Sequence, residues 1–247
     1  MNNPLVYRPA YQLAQQIQTG KISVVEAVSA FLDQIDRYNG KINALSDQRS
    51  KKELLHEAKE KDEHLAKEQV GALHGVPLTI KDNFWVKGLK VSNGHPAYRN
   101  FIASEDAELV KRLKQAGAII LGKTNVPLFS IDWQATNWWN GTTNNPYDLS
   151  RVPGGSSGGA AAAVAAGFSP LELGGDQGGS IRVPAHFCGI CGLRPTEGAL
   201  SNQGHIRFPG KPQGHRYVTV AGPLARNIED LILMMNVLWD QPTTPLI

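Results

Sequence analysis

Two glycine–serine runs constrain this chain more than any other feature: Pro153-Gly-Gly-Ser-Ser-Gly-Gly159 and Gly174-Gly-Asp-Gln-Gly-Gly-Ser-Ile-Arg182. Consecutive glycines let a backbone pass close to a ligand and turn its N–H groups toward it. A phosphate loop would end in Gly-Lys-Ser/Thr, and neither run does, so ATP binding is not expected. Each run instead sets serines among small residues. The backbone of Gln177, Gly178 and Gly179 is expected to face a developing oxyanion beside the Ser180 hydroxyl.

The flanking sequence alternates between helical and strand patterns. Ser23 and Glu26 form a capping box, and Val25, Val28, Leu32 and Ile35 follow as one apolar stripe ending at Asn39-Gly40. A charged helix is expected over Gln48–Gln69, with Leu54, Leu55, Ala58 and Leu65 inward. Val76–Ile80 reads as a buried strand ending at Lys81-Asp-Asn83. Ser104–Ala116 reads as a helix stopped by Gly117, and Ala118–Leu121 as a strand. Trp133–Gly159, rich in Asn, Thr, Pro and Gly, is expected on the surface. Ala160–Ala166 is a helix of small residues and Leu171–Leu173 a short strand. Asn227 caps a last helix that turns Ile228, Leu231, Met235 and Leu238 to one side. The alternation predicts an α/β fold: an N-terminal helical segment, residues 1–70, packs on a core, residues 71–247, and the whole is best treated as one domain.

Composition excludes several functions. The net charge is +3, too weak for nucleic acid, and the dense stretch Lys51–Lys67 mixes both signs as a solvated helix face does. Cys188 and Cys191 form a single C-x-x-C with no second pair, so buried small side chains are expected there rather than zinc. Residues 1–13 lack a signal-peptide pattern, and the apolar stretch Ala160–Phe168 is too short to span a bilayer. A cytoplasmic protein without membrane, metal or cofactor is expected.

A serine nucleophile needs a base, and Ser–Lys pairs can serve. Lys81 follows an apolar strand. A free lysine, with a pKa of ~10.4, is almost never neutral at pH 7, so burial must lower it substantially.

Six segments, in order, resemble the amidase-signature family: Gly75-Val-Pro77 to Lys81-Asp-Asn83; Gly122-Lys-Thr-Asn125; Gly154–Gly159; Asp176 through Gly178-Gly-Ser-Ile-Arg182; Cys188-Gly189 to Gly192-Leu-Arg-Pro195; and Ala221-Gly-Pro223 to Ala225-Arg226. The resemblance covers nearly the whole chain. It implies a central mixed sheet flanked by helices, incomplete here because relatives run about twice as far. It implies a Ser-Ser-Lys triad, with Ser180 attacking an amide, Ser156 (after a cis peptide bond) relaying the proton, and Lys81 as final base. Asp176 and Arg182 would pair in support of the loop, with Ser157 behind the triad. A small-molecule amide is the implied partner, and a homodimer is an open assembly. The chain departs from the family pattern at Pro127-Leu128, where Glu is frequent, at Ala160, where Ser is common, and at Gly175, where Thr is frequent.

Other readings stay open. A truncated, inactive remnant that only binds partners is one. The amidase subunit of a tRNA-dependent glutamine amidotransferase is another. Gly154–Gly158 also fits the G-x-S-x-G nucleophile elbow, with His205 or His215 as base, but Tyr147–Pro153 before it is turn-like rather than a strand. Trp133, Trp138 and Trp139 line an acyl pocket or anchor a loop, the loop being favoured.

Overall fold

The computed structural model describes residues 4–65, 70–206, 210 and 218–239. In chain order the elements are α1 (Ala10–Gln18), α2 (Val24–Ile42), β1 (Leu45–Gln48), α3 (Lys51–Leu65), β2 (Pro77–Lys81), α4 (Glu108–Gln115), β3 (Ile119–Thr124), β4 (Thr136–Asn137), β5 (Gly141–Thr142), α5 (Gly158–Ala165), β6 (Leu171–Asp176), α6 (Arg182–Phe187), β7 (Cys191–Gly192), β8 (Val220–Ala225) and α7 (Ile228–Leu238). Six strands form one mixed sheet in the order β1-β3-β2-β6-β8-β7, with β2 parallel to both β3 and β6. Strands β4 and β5 form a separate hairpin.

Strand periodicity places the two larger of three apolar clusters on opposite faces of the sheet. Leu78 and Ile80 of β2 and Leu171 and Leu173 of β6 pack with α4 and α7 on one face. Ile119 and Leu121 of β3 pack with α2, α3 and α5 on the other. Each large apolar side chain so buried contributes about 1.5–3 kcal/mol.

Local signals set the helix ends. Ser23 Oγ accepts the Glu26 N–H at 3.0 Å, while Asp62 of α3 takes the Val24 and Val25 N–H groups at 2.7 and 3.1 Å. One helix thus caps another across 38 residues, a link that no local pattern announces. Helix α2 does not stop at Asn39-Gly40. It runs to Ile42, and Asn43, with φ 56°, takes the left-handed terminal position. Asn39 instead accepts the Ala44 and Leu45 N–H groups and steers the chain into β1.

Strand β1 falls between the two expected helices and overlaps the second only at Gln48. Leu45, Ser46, Asp47 and Gln48 show too little apolar alternation to read as a strand, and pairing with β3 supplies what propensity lacks. The expected end of the charged helix falls at residues 66–69, outside the described residues. The polar stretch 133–159 is also not all surface: Asn137, Thr143, Asn145 and Pro153–Gly159 are buried. Asn125 explains part of this, because its amide bonds Ala135 O, Gly141 O and Thr143 Oγ1 and accepts from Asn137. Polar side chains build a small interior here because each has a partner. In α7, Asn227 caps through the Asp230 N–H as expected, but Ile228 is exposed and Met234 is buried in its place.

Helix α5 is built of Gly, Ala and Val because the backbone comes so close. A Cβ at Gly159 would lie against backbone atoms of Asn125 and Ala44, which cannot swing aside. Gly159→Ala is therefore expected to destabilise the fold by about 3 kcal/mol in a urea titration. Gly178→Ala, at a position with open space around it, serves as the control.

Candidate active site

The parallel neighbours β2 and β6 end side by side. Lys81 is the last residue of β2 and Asp176 the last of β6. Ser156 lies in the loop that enters α5, and Ser180 in the loop between β6 and α6. Loops at the carboxyl ends of parallel strands are where α/β sheets place their sites.

Lys81, Ser156 and Ser180 line one narrow cleft of about 40 Å³. Lys81 Nζ donates to Ser156 Oγ at 2.7 Å and to Gly175 O at 3.2 Å. The peptide bond before Ser156 is cis. Ser157 ties the two serine loops together: its N–H donates to Ser180 O at 3.1 Å and its hydroxyl to Gly175 O at 3.2 Å. No hydrogen bond joins the Ser156 and Ser180 hydroxyls among the described residues, so Ser156 is bonded to the lysine and not to Ser180. Lys81 is 1% exposed, Ser156 1% and Ser180 8%, so only the last serine is at all open to an incoming group. Burial brings the Lys81 amine down to about 7, against the pull of Asp176 and Glu172, as a lysine base requires.

Asp176 organises the Ser180 loop. Its carboxylate accepts the N–H groups of Gly179 at 2.8 Å, Ile181 at 3.0 Å and Arg182 at 3.3 Å. Arg182 adds a bidentate contact, 3.1 Å to each oxygen, and Arg194 lies 3.5 Å away. Burial pushes this carboxyl up, but Arg182 and the N–H groups outweigh it and hold it at about 2. The Gly179 N–H is thereby engaged. Gln177, Gly178 and Ser180 have N–H groups without a protein partner among the described residues.

Phe129, Ser130 and Ile131, none of them singled out from sequence, also line the cleft, together with Asn83 of a recognised segment and His205, which was weighed only as the base of the elbow reading. His205 stacks on Phe84 at 4.0 Å and lies against Gly175, where a Cβ would strike its ring. The departure at Gly175 thus makes room for this imidazole. Arg194 belonged to a recognised segment, yet nothing in the segment pointed it at Asp176. The tryptophans do not line this cleft: Trp138 is 95% and Trp133 59% exposed, and Trp139 lines a separate cleft with Lys90 and Arg99. The elbow reading finds no strand before Gly154, since β5 ends at Thr142. Cys188 is buried, and burial pushes its thiol up to about 12. Among the described residues no cluster of His, Cys, Asp and Glu is placed to hold a metal.

The sequence profile of the amidase family matches residues 26–245. The chain belongs to the amidase family. It is 43% identical over 236 residues to the first subunit of the glutamyl-tRNA(Gln) amidotransferase of Carboxydothermus hydrogenoformans, covering 95% of this chain and 47% of that protein. A solved fatty acid amide hydrolase superposes with a TM-score of 0.86 at 32% identity, covering 94% of this chain and 41% of the other. The peptide amidase of Stenotrophomonas maltophilia superposes with a TM-score of 0.85 at 30% identity, covering 95% and 48%. This amidase-family chain spans about half the length of the curated relatives it matches. Its mixed sheet flanked by helices is the fold of these amidase-signature neighbours. Among the described residues no helix is long and apolar enough to cross a membrane.

Proposed function

We propose that the chain is an amidohydrolase that cleaves the C–N bond of a small-molecule carboxylic amide, without a cofactor, through an acyl-enzyme on Ser180. The observation that carries this reading is a fully buried lysine amine 2.7 Å from the Ser156 hydroxyl, in one cleft with Ser180. Ser180 Oγ attacks the carbonyl carbon as its proton passes to Ser156 and the Ser156 proton to neutral Lys81. The N–H groups of Gln177, Gly178 and Ser180 face the resulting oxyanion, and Gly179, held by Asp176, shapes the turn that presents them. When the C–N bond breaks, the leaving nitrogen takes a proton back along the same path. Water then repeats the attack on the ester, with Lys81 again the final acceptor.

A fluorophosphonate is expected to label the wild-type chain at Ser180 with a rate that climbs through about pH 7, where the Lys81 amine loses its proton. Ser180→Ala is expected to take no label. Wild-type protein that stays unlabelled from neutral to alkaline pH sinks the reading.

The 43% identity to an amidotransferase subunit supports a second reading, in which the same triad releases ammonia inside a larger assembly. Co-purification with partner subunits separates this from a free cytoplasmic amidase, and light scattering of the isolated chain reads whether that enzyme is a homodimer.

A further inference from the structure

One buried acceptor beside the triad has no donor among the described residues. Asn83 lies two residues past Lys81, where the chain leaves β2, and both residues line the cleft of Ser156 and Ser180. Asp82, between them, turns away to Lys123 at 3.4 Å. Asn83 is 1% exposed, and its Oδ1 is buried without a hydrogen-bond partner among the described residues. The rest of the residue is held. Its backbone carbonyl accepts the Ile206 N–H at 2.7 Å, and its Nδ2 donates to Ser130 Oγ at 3.4 Å. The Ser130 hydroxyl gives its own proton to Asn93 Oδ1 at 2.8 Å, so toward Asn83 it can only accept. That sets the amide nitrogen of Asn83 toward Ser130 and its oxygen away from it. The wall behind is strained. Phe129 and Ser130, both lining the cleft, are successive non-glycine residues in the left-handed region, at φ 52° and 58°. Such residues persist only where their surroundings hold them, and they gather at ligand clamps. Asn93 does the holding, since its carbonyl accepts the Phe129 N–H at 2.8 Å while its side chain takes the Ser130 hydroxyl.

We propose that Asn83 is a specificity-determining residue: its Oδ1 accepts an N–H of the scissile amide, so that the chain takes amides whose nitrogen carries hydrogen and discriminates against N,N-dialkyl amides and esters. The inference rests on the amidohydrolase reading and adds what that site demands of the leaving group. A buried acceptor left without a donor carries the full loss of its hydration. A site built to bond a substrate N–H therefore rejects the analogue that lacks one, because the protein group is then left unpaired. The place fits the chemistry. The leaving nitrogen takes its proton from Ser156, which puts it at the Lys81 end of the cleft, where Asn83 stands. The oxyanion lies toward the N–H groups of Gln177, Gly178 and Ser180. As the C–N bond breaks, the nitrogen keeps its own hydrogens, gains one from Ser156 and leaves as ammonia or an amine, while the acyl group stays on Ser180. An N–H held by Asn83 Oδ1 limits rotation of that nitrogen and aims its lone pair at the Ser156 hydroxyl.

Binding is read first, in the full chain carrying Ser180→Ala, where no turnover is needed. Benzamide and butanamide are titrated by calorimetry beside their N,N-dimethyl analogues. At least one of the two is expected to bind about tenfold or more tightly than its dimethyl analogue. That preference is expected to vanish when Asn83→Ala is added and to survive Asn83→Asp, which keeps an acceptor in place. A preference that persists in Asn83→Ala is one of bulk alone and overturns the proposal. So does the absence of any preference with Asn83 intact, a result that stands even where Asn83→Ala fails to fold. Turnover is read second. For the amide, kcat/KM is expected to fall about 10²-fold in Asn83→Ala, against a change within about threefold for the methyl ester of the same acid, which offers no N–H. An equal fall for both marks a merely structural role and overturns the proposal. A binding preference in Ser180→Ala, beside a wild type that turns over neither substrate and takes no fluorophosphonate at Ser180, sinks the amidohydrolase reading instead, so the two failures are distinct.

Discussion

Lys81→Met is expected to reduce kcat/KM by at least about 10³-fold and, at the same time, to make the protein more stable. The first effect follows from removing the proposed final proton acceptor of a relay whose members would act as a unit. The second follows from burial. In the fold the amine titrates at about 7, against 10.5 for an ordinary lysine. Between those values the unfolded chain holds a proton that the folded chain has released, so this residue makes stability rise with pH across that window. Below about 7 the fold must carry a buried ammonium, and the cost is largest. A methionine of similar length carries no such cost, and the gain is expected to be about 2–4 kcal/mol at acidic pH, shrinking as pH rises. Glu172 has the opposite sign. Its carboxyl is raised from 4.5 to about 8, so its contribution is present below 4.5 and declines as pH rises through 8. The two trends offset each other between about 7 and 8, where wild-type stability is expected to be nearly flat. Urea titrations of both proteins at several pH values, beside turnover of a chromogenic amide, check both halves. A less stable Lys81→Met protein would mean that the amine is held charged by contacts stronger than its burial.

Asp176→Ala is expected to be destabilised by about 3–5 kcal/mol and to lose fluorophosphonate labelling at least about 10²-fold. Three N–H groups and the Arg182 guanidinium converge on this carboxylate, with Arg194 beside it, and all lose their acceptor together. The turn from Gln177 to Ile181 is then no longer held in the shape that presents its N–H groups. Asp176→Asn keeps the shape and loses the charge, and should fall between the two. The wild-type carboxyl is held at about 2, below its ordinary 3.8, so its contribution is complete above 3.8 and is lost as pH falls through about 2. An acid titration of Asp176→Asn should lack that component. Full labelling in Asp176→Ala would show that the loop keeps its shape unaided.

Much of the site was legible because its parts are short and local. The Ser156 and Ser180 runs, the strand before Lys81 and the Asp176-to-Arg182 span each lie within a few residues, where glycine and serine leave clear marks. Glu172 was not legible. In Leu171-Glu-Leu173 it looks like the outward residue of an alternating strand, and only a covering helix of small side chains makes that side an interior. His205 and Arg194 reach Gly175 and Asp176 from distant parts of the chain, by routes that no spacing rule follows. Strand β1 was hidden for a related reason, since its stability comes from pairing with β3 rather than from its own residues.

Taken alone, the order of residues determined the family, the helices that alternate with strands and the three side chains proposed for catalysis, because backbone freedom and apolar period are written locally. The tertiary structure decided the rest: which amine is buried deeply enough for its pKa to fall, which carboxylate holds the serine loop, and which N–H groups keep no protein partner among the described residues. Those outcomes depend on an electrostatic environment that arises only when distant segments are packed together and water is excluded.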